Sequence, residues 1–196
     1  MNRPAAPHAP CGCCAADAVD APRRRVIQIA AVGLAAPLAV ATRPAVAAVS
    51  GHRLVEEDAE GTPQPLRVAD LKPGKPMLAY PFDTKTGKRR DETRLNKLVL
   101  VRLPDAEMTP ATRARAAGGV VAYSAICTHQ ACDVKTWLSK EKVLVCFCHS
   151  SKFDLFDDGK VVAGPASRAL PFVPLKLDGD QLVIDGTFST EPGGSA

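Results

Sequence analysis

Cys127-Thr128-His129-Gln130-Ala131-Cys132 and, after a spacer, Cys146-Phe147-Cys148-His149-Ser150-Ser151 are the stretches on which the reading of this chain turns. Together they hold four of the seven cysteines and two of the four histidines. The other histidines, His8 and His52, lie far upstream. Paired cysteines accompanied by all the downstream histidines, in two short segments, point to a metal site. Each segment offers one thiolate and one imidazole, as Cys127-x-His129 and Cys146-x-x-His149.

That pattern suits one 2Fe-2S cluster in which one iron takes Cys127 and Cys146 and the other takes His129 and His149. Replacing two thiolates by neutral imidazoles removes negative charge from the cluster and raises its potential. A structural zinc ion is the competing occupant, since two cysteines and two histidines also satisfy a tetrahedral metal. Zinc sites pair like ligands more often than they mix them as C-x-H. On the zinc reading the chain is a secreted binding module.

CTHQAC and CFCHSS resemble the C-T-H-x-G-C and C-x-C-H-x-S signatures of the Rieske family, in its subclass with an extra cysteine in each loop. The resemblance implies that Cys127 and Cys146 hold a buried iron and that His129 and His149 hold a solvent-facing one. It also implies a Cys132–Cys148 disulfide, a hydrogen bond from Ser151 to a cluster sulfur, and a cover over the cluster beginning at Gly164-Pro165. Three departures stand out: Ala131 replaces the usual glycine, Phe147 a common proline, and Phe153 a tyrosine of the quinol-oxidising members. Loss of that hydroxyl is expected to lower the potential, because hydrogen bonds to the sulfurs stabilise the added electron.

Upstream, Arg23-Arg24-Arg25-Val26-Ile27-Gln28 runs into an apolar stretch ending at Val40. A twin arginine ahead of a weakly hydrophobic run reads as a Tat export signal, and Ala45-Val46-Ala47 is a cleavage box of the A-x-A kind. The apolar run falls short of the ~20 residues that span a bilayer. Retention of the segment as an inner-membrane anchor is the alternative to cleavage. Residues 1–22, rich in Ala and Pro with Cys11, Cys13 and Cys14, read as a disordered leader. Residues 48–65 read as a linker or hinge, 66–188 as the Rieske domain and 189–196 as a flexible tail.

From Leu66 onward, short apolar runs alternate with turn residues, which predicts an all-β fold. The expected strands are 67–69, 77–81, 95–102, 120–124, 143–146, 161–162, 172–177 and 181–184, with turns at Asp158-Gly159 and Asp178-Gly179. Thr109 to Gly119 interrupts the strands as one helical turn or a basic surface loop, with a solvated loop the default. The resemblance makes this fold an antiparallel β-sandwich with a small inserted cluster-binding subdomain.

Five of the 25 basic residues but only two of the 21 acidic ones precede Ala47. The remainder is therefore nearly balanced, which argues against a nucleic-acid partner. No nucleophile–base set or phosphate loop is present, and only 47 residues follow His149, too few for an oxygenase catalytic domain. The chain is expected to be an electron-transfer subunit in the bacterial periplasm rather than a self-sufficient enzyme. Its expected partners are a larger redox subunit and a c-type cytochrome or comparable acceptor. The Val120–Ser124 lead-in, Phe153 and the cover segment resemble the arsenite oxidase small subunit, a molybdenum-enzyme partner. Cytochrome b of a bc complex is the alternative.

Overall fold

The computed structural model describes residues 48–59 and 61–194. The expected leader, the signal or anchor and the last two residues of the expected tail lie outside the described residues. No helix among the described residues is long and apolar enough to cross a membrane.

The strands are β1 (Arg53–Glu56), β2 (Met77–Asp83), β3 (Lys88–Arg89), β4 (Leu98–Arg102), β5 (Val120–Ser124), β6 (Thr136–Leu138), β7 (Val143–Cys146), β8 (Ser151–Asp154), β9 (Lys160–Ala163), β10 (Phe172–Val173), β11 (Leu175–Asp178) and β12 (Gln181–Ile184). The larger sheet runs β10-β5-β4-β2-β1-β12-β11, with β3 paired to β2, and every pairing is antiparallel. Its two edge strands, β10 and β11, are separated in sequence by Pro174 alone. A chain that leaves one edge and joins the other a residue later requires the sheet to curl on itself, so it forms a nearly closed barrel. The smaller sheet is the meander β6-β7-β8-β9, inserted between β5 and β10. The all-β class and the inserted subdomain thus agree with the sequence reading.

The unbroken apolar runs of β4 and β5 have a structural cause. Successive side chains of a strand point to opposite faces. Leu98, Leu100, Val120 and Ala122 face the barrel core with Leu54, Leu66, Leu182 and Ile184. Val99, Val101, Val121 and Tyr123 face the other way, into a second core with Val134, Leu144, Phe153 and Leu155 of the inserted subdomain. Both faces are covered, so neither strand needs polar alternation. The second core carries the subdomain on the barrel wall.

One short α-helix among the described residues, α1 (Pro110–Ala114), strengthens that junction. Thr109 caps it by accepting from the Thr112 N–H, and Pro110 stands in the first turn, where a missing N–H costs nothing. Thr112 Oγ1 bonds Asp158 Oδ1 at 2.7 Å and accepts from the Asp158 N–H at 3.0 Å. Arg115 pairs with the same carboxylate and lies 3.7 Å from the Phe172 ring centroid. Of the two readings of this segment, the helical turn is the one present, and it pins the β8–β9 connection; the default solvated loop is not.

Three further expectations are corrected. Residues 53–56, read as linker, form β1 in the interior of the larger sheet between β2 and β12. The acidic Glu56-Glu57-Asp58 run masked a strand whose only fully buried side chains are Leu54 and Val55. Residues 67–69 are no strand: a 3-10 turn spans Val68–Asp70, closed by Asp70 accepting from the Arg67 N–H. Within the expected tail, Pro192 and Gly193 are buried. The two predicted turns are present, with Asp158 and Gly159 both at positive φ. Gly159 also lacks room for a Cβ, which would meet the Tyr123 ring at 2.8 Å and the Leu170 carbonyl at 2.9 Å.

Candidate metal centre

Two loops at one end of the subdomain carry the site. The first leaves β5 and runs through Cys127 to Val134; the second is the turn between β7 and β8, whose last and first residues, Cys146 and Ser151, are paired. Cys127 and Cys146 are free thiols, 2% and 1% exposed, in the core that contains Phe153. Burial pushes the Cys146 thiol up, and the neighbouring Cys127 adds to the shift. Two such sulfurs are held as thiolates when a cation balances them.

The imidazoles lie toward the surface, His129 half-buried and His149 exposed. Their rings stand edge to face, 86° apart, and their Nδ1 atoms converge to 3.2 Å. One metal ion at about 2.1 Å from each nitrogen would subtend an angle near 100°, close to tetrahedral. The donor set therefore offers two imidazoles on its outer side and two buried thiols on its inner side.

Cys132 and Cys148 form a disulfide with Cα atoms 6.5 Å apart, which ties the two loops together. Their sulfurs and Cys146 Sγ lie within 4.8 Å of one another. That trio is no metal site, because two of its sulfurs are bonded to each other. Ser151 is fully buried, and its Oγ accepts from the Ala166 N–H at 3.2 Å, which leaves its own O–H to donate. Phe153 is fully buried opposite Leu144. Gly164 crosses so close to the second loop that a Cβ would meet Ser151 Cα at 2.4 Å. Pro165 follows it on the surface.

Charged residues outside the signature hold the first loop. Arg94 donates to the Ala131 carbonyl at 2.7 Å and to Asp133 at 2.5 Å, and Lys97 joins Asp133 at 3.5 Å to Glu57 at 2.7 Å. Thr128 Oγ1 donates to the Arg168 carbonyl at 2.7 Å. The sequence reading missed Arg94, Asp133 and Thr128 in these roles. Of these, only Thr128 stood in a quoted stretch, and nothing in that stretch says what its hydroxyl grips.

The family model for the Rieske 2Fe-2S domain matches residues 66–174, more than half of the chain. The chain belongs to the Rieske family. The Rieske domain binds one 2Fe-2S cluster, which sets the zinc reading aside. Among similar proteins, the Rieske iron-sulfur subunit of the cytochrome bc1 complex of Streptomyces lividans is 34% identical over 69% of this chain and 81% of its own length. That of Corynebacterium efficiens is 44% identical over 40% of this chain, and the match spans only 19% of that relative. A Haloferax mediterranei protein, named provisionally as a respiratory nitrate reductase Rieske subunit, is 43% identical over 39% of this chain and 35% of its own length. Among solved structures, the plasma membrane Rieske protein of Synechocystis matches with a TM-score of 0.42 at 24% identity, covering 61% of this chain and 94% of that one.

Proposed function

We propose that this protein is an exported one-electron carrier in which Cys127 and Cys146 bind the inner iron and His129 and His149 the outer one. The observation that carries the reading is the gradient of burial across the four donors: two thiols almost without exposure, and two imidazoles toward solvent with Nδ1 atoms 3.2 Å apart. The bound cluster supplies a one-electron couple. The cysteines seat it in the apolar core, and the disulfide fixes the separation of the two loops. Ser151 would donate a hydrogen bond from its hydroxyl to a cluster sulfur, and Gly164-Pro165 covers the second loop. His149, the exposed imidazole of the pair, would present its ring edge to the partner.

The upstream donor in this reading is a periplasmic molybdenum oxidoreductase of the arsenite oxidase type, and the acceptor a c-type cytochrome. Phe153 supports it, since the ring is fully buried in the same core as both thiols with no hydroxyl to offer a sulfur. A second reading, with cytochrome b of a bc complex as the larger subunit, is supported by the names of the Streptomyces and Corynebacterium relatives. Arg23-Arg24 directs Tat export in both, and the N-terminal segment is either cleaved or retained as an anchor.

Purified protein is expected to contain two irons and two acid-labile sulfides and to show a rhombic Rieske spectrum by low-temperature EPR after dithionite reduction. Stoichiometric zinc without a reducible signal would overturn the proposal. Affinity purification from the native host then separates the partners, since a molybdenum-containing subunit and a b-type haem spectrum are mutually distinguishable.

A further inference from the structure

The segment after β12 returns to the first cluster loop and lies across it. At Gly194 the two backbones are so close that a Cβ would meet the His129 carbonyl oxygen at 2.5 Å and Gln130 Cα at 3.2 Å. Gly194 is not in the left-handed region, so space alone demands the glycine. One residue earlier, a Cβ on Gly193 would lie 3.5 Å from Leu95 and 4.0 Å from the Ala131 methyl. Pro192 and Gly193 are buried there, although the last residue of β12 is eight positions upstream of Pro192.

One side chain grips this segment. The Arg168 guanidinium donates to Thr190 Oγ1 at 3.1 Å, to the Glu191 carbonyl at 2.8 Å and to the Gly193 carbonyl at 2.5 Å. The Arg168 carbonyl in turn accepts from Thr128 Oγ1, in the residue next to His129. The cover segment, the first loop and the C-terminal segment thus form a closed ring of contacts around the backbone of His129. A planar guanidinium reaching three acceptors in one segment is a stiffer clamp than a lysine could provide.

We infer that Arg168 and residues 190–194 form a strap that positions the His129 imidazole, with Arg168 a positioning residue that acts through the strap. The inference rests on His129 being an outer-iron ligand. It goes beyond that assignment by placing control of the ligand's orientation in a segment outside both signature loops. Groups that orient a metal-bound histidine set its basicity and the affinity of the site.

The test uses the full chain and four variants: Arg168→Gln, Arg168→Lys, Gly194→Val, and a chain ended after Ser189. Redox titration followed by EPR reads the midpoint potential and the g-values, and chelator challenge reads iron loss. Arg168→Gln and the shortened chain are each expected to shift the midpoint in the same direction and to lose iron roughly tenfold faster. Combining them is expected to add nothing, because both release the same strap. Gly194→Val is expected to alter the spectrum with the strap still present, and Arg168→Lys to recover part of the loss. Unchanged potential and g-values in both the shortened chain and Gly194→Val would overturn the strap, as would additive effects of Arg168→Gln and shortening. The absence of any Rieske signal in the unaltered chain would instead remove the ligand assignment, and the strap's role with it.

Discussion

Ala131 adopts φ 54°, a left-handed conformation that glycine enters freely and alanine does not. The Ala131 N–H reaches the Cys127 carbonyl at 3.0 Å, closing the turn that carries His129, so the conformation is imposed by the loop. Ala131→Gly is expected to stabilise the domain by about 1 kcal/mol, read as a rise in the thermal midpoint, because the cost of a left-handed Cβ exceeds the added freedom of the unfolded chain. At Phe153 the expected outcome is electronic. The ring shares a core with both free thiols, and Phe153→Tyr is expected to raise the midpoint potential by offering a hydroxyl to a sulfur. An unchanged or lower potential would show that the hydroxyl cannot reach the cluster. The conformation at Ala131 was foreseeable as a difficulty from the substituted glycine. The grip of Arg168 was not, since its acceptors are mostly backbone carbonyls more than 20 residues away, and carbonyls are common to every sequence.

Among the elements, the two cluster loops are held by one covalent link and one ionic network. Removing the Cys132–Cys148 bridge by paired serine substitution is expected to cost about 3 kcal/mol for a closed loop of this size. It should also speed cluster loss, as followed by visible absorbance during chelation. Asp133 gives a pH dependence. Partial burial alone would raise its carboxyl, but the Arg94 hydrogen bond and the Lys97 charge outweigh burial and hold it below the ordinary value of 3.8. Its contribution is therefore present above the unfolded-state value and is lost as pH falls through the lower folded one. Asp133→Asn is expected to flatten the acid limb of a stability–pH curve below about pH 4 and to leave its alkaline side unchanged. Strands β5, β7 and β12 coincide with their predicted bounds, because their apolar runs are uninterrupted. The missed strands β3, β6 and β8 are short or rich in polar residues, and each is created by a partner strand rather than by its own pattern.

On the scale of the whole molecule, β1 shows how tertiary structure overrides local composition. Its neighbours β2 and β12 are linked through it, and Leu54 and Val55 have no exposure. Leu54→Ala is expected to destabilise the domain by roughly 2–5 kcal/mol in chemical denaturation; a hinge residue would change stability hardly at all. The family and its 2Fe-2S cluster were legible in the sequence alone, because thiolate and imidazole are rare groups whose spacing reports a metal directly. So was the all-β class, since strand periodicity and turn residues are local. The barrel closure at Pro174, the strand hidden in the acidic segment and the strap across His129 were decided only by the folded chain. Each depends on groups distant in sequence that are brought together by packing, and backbone atoms that pair across such distances carry no residue-type signature.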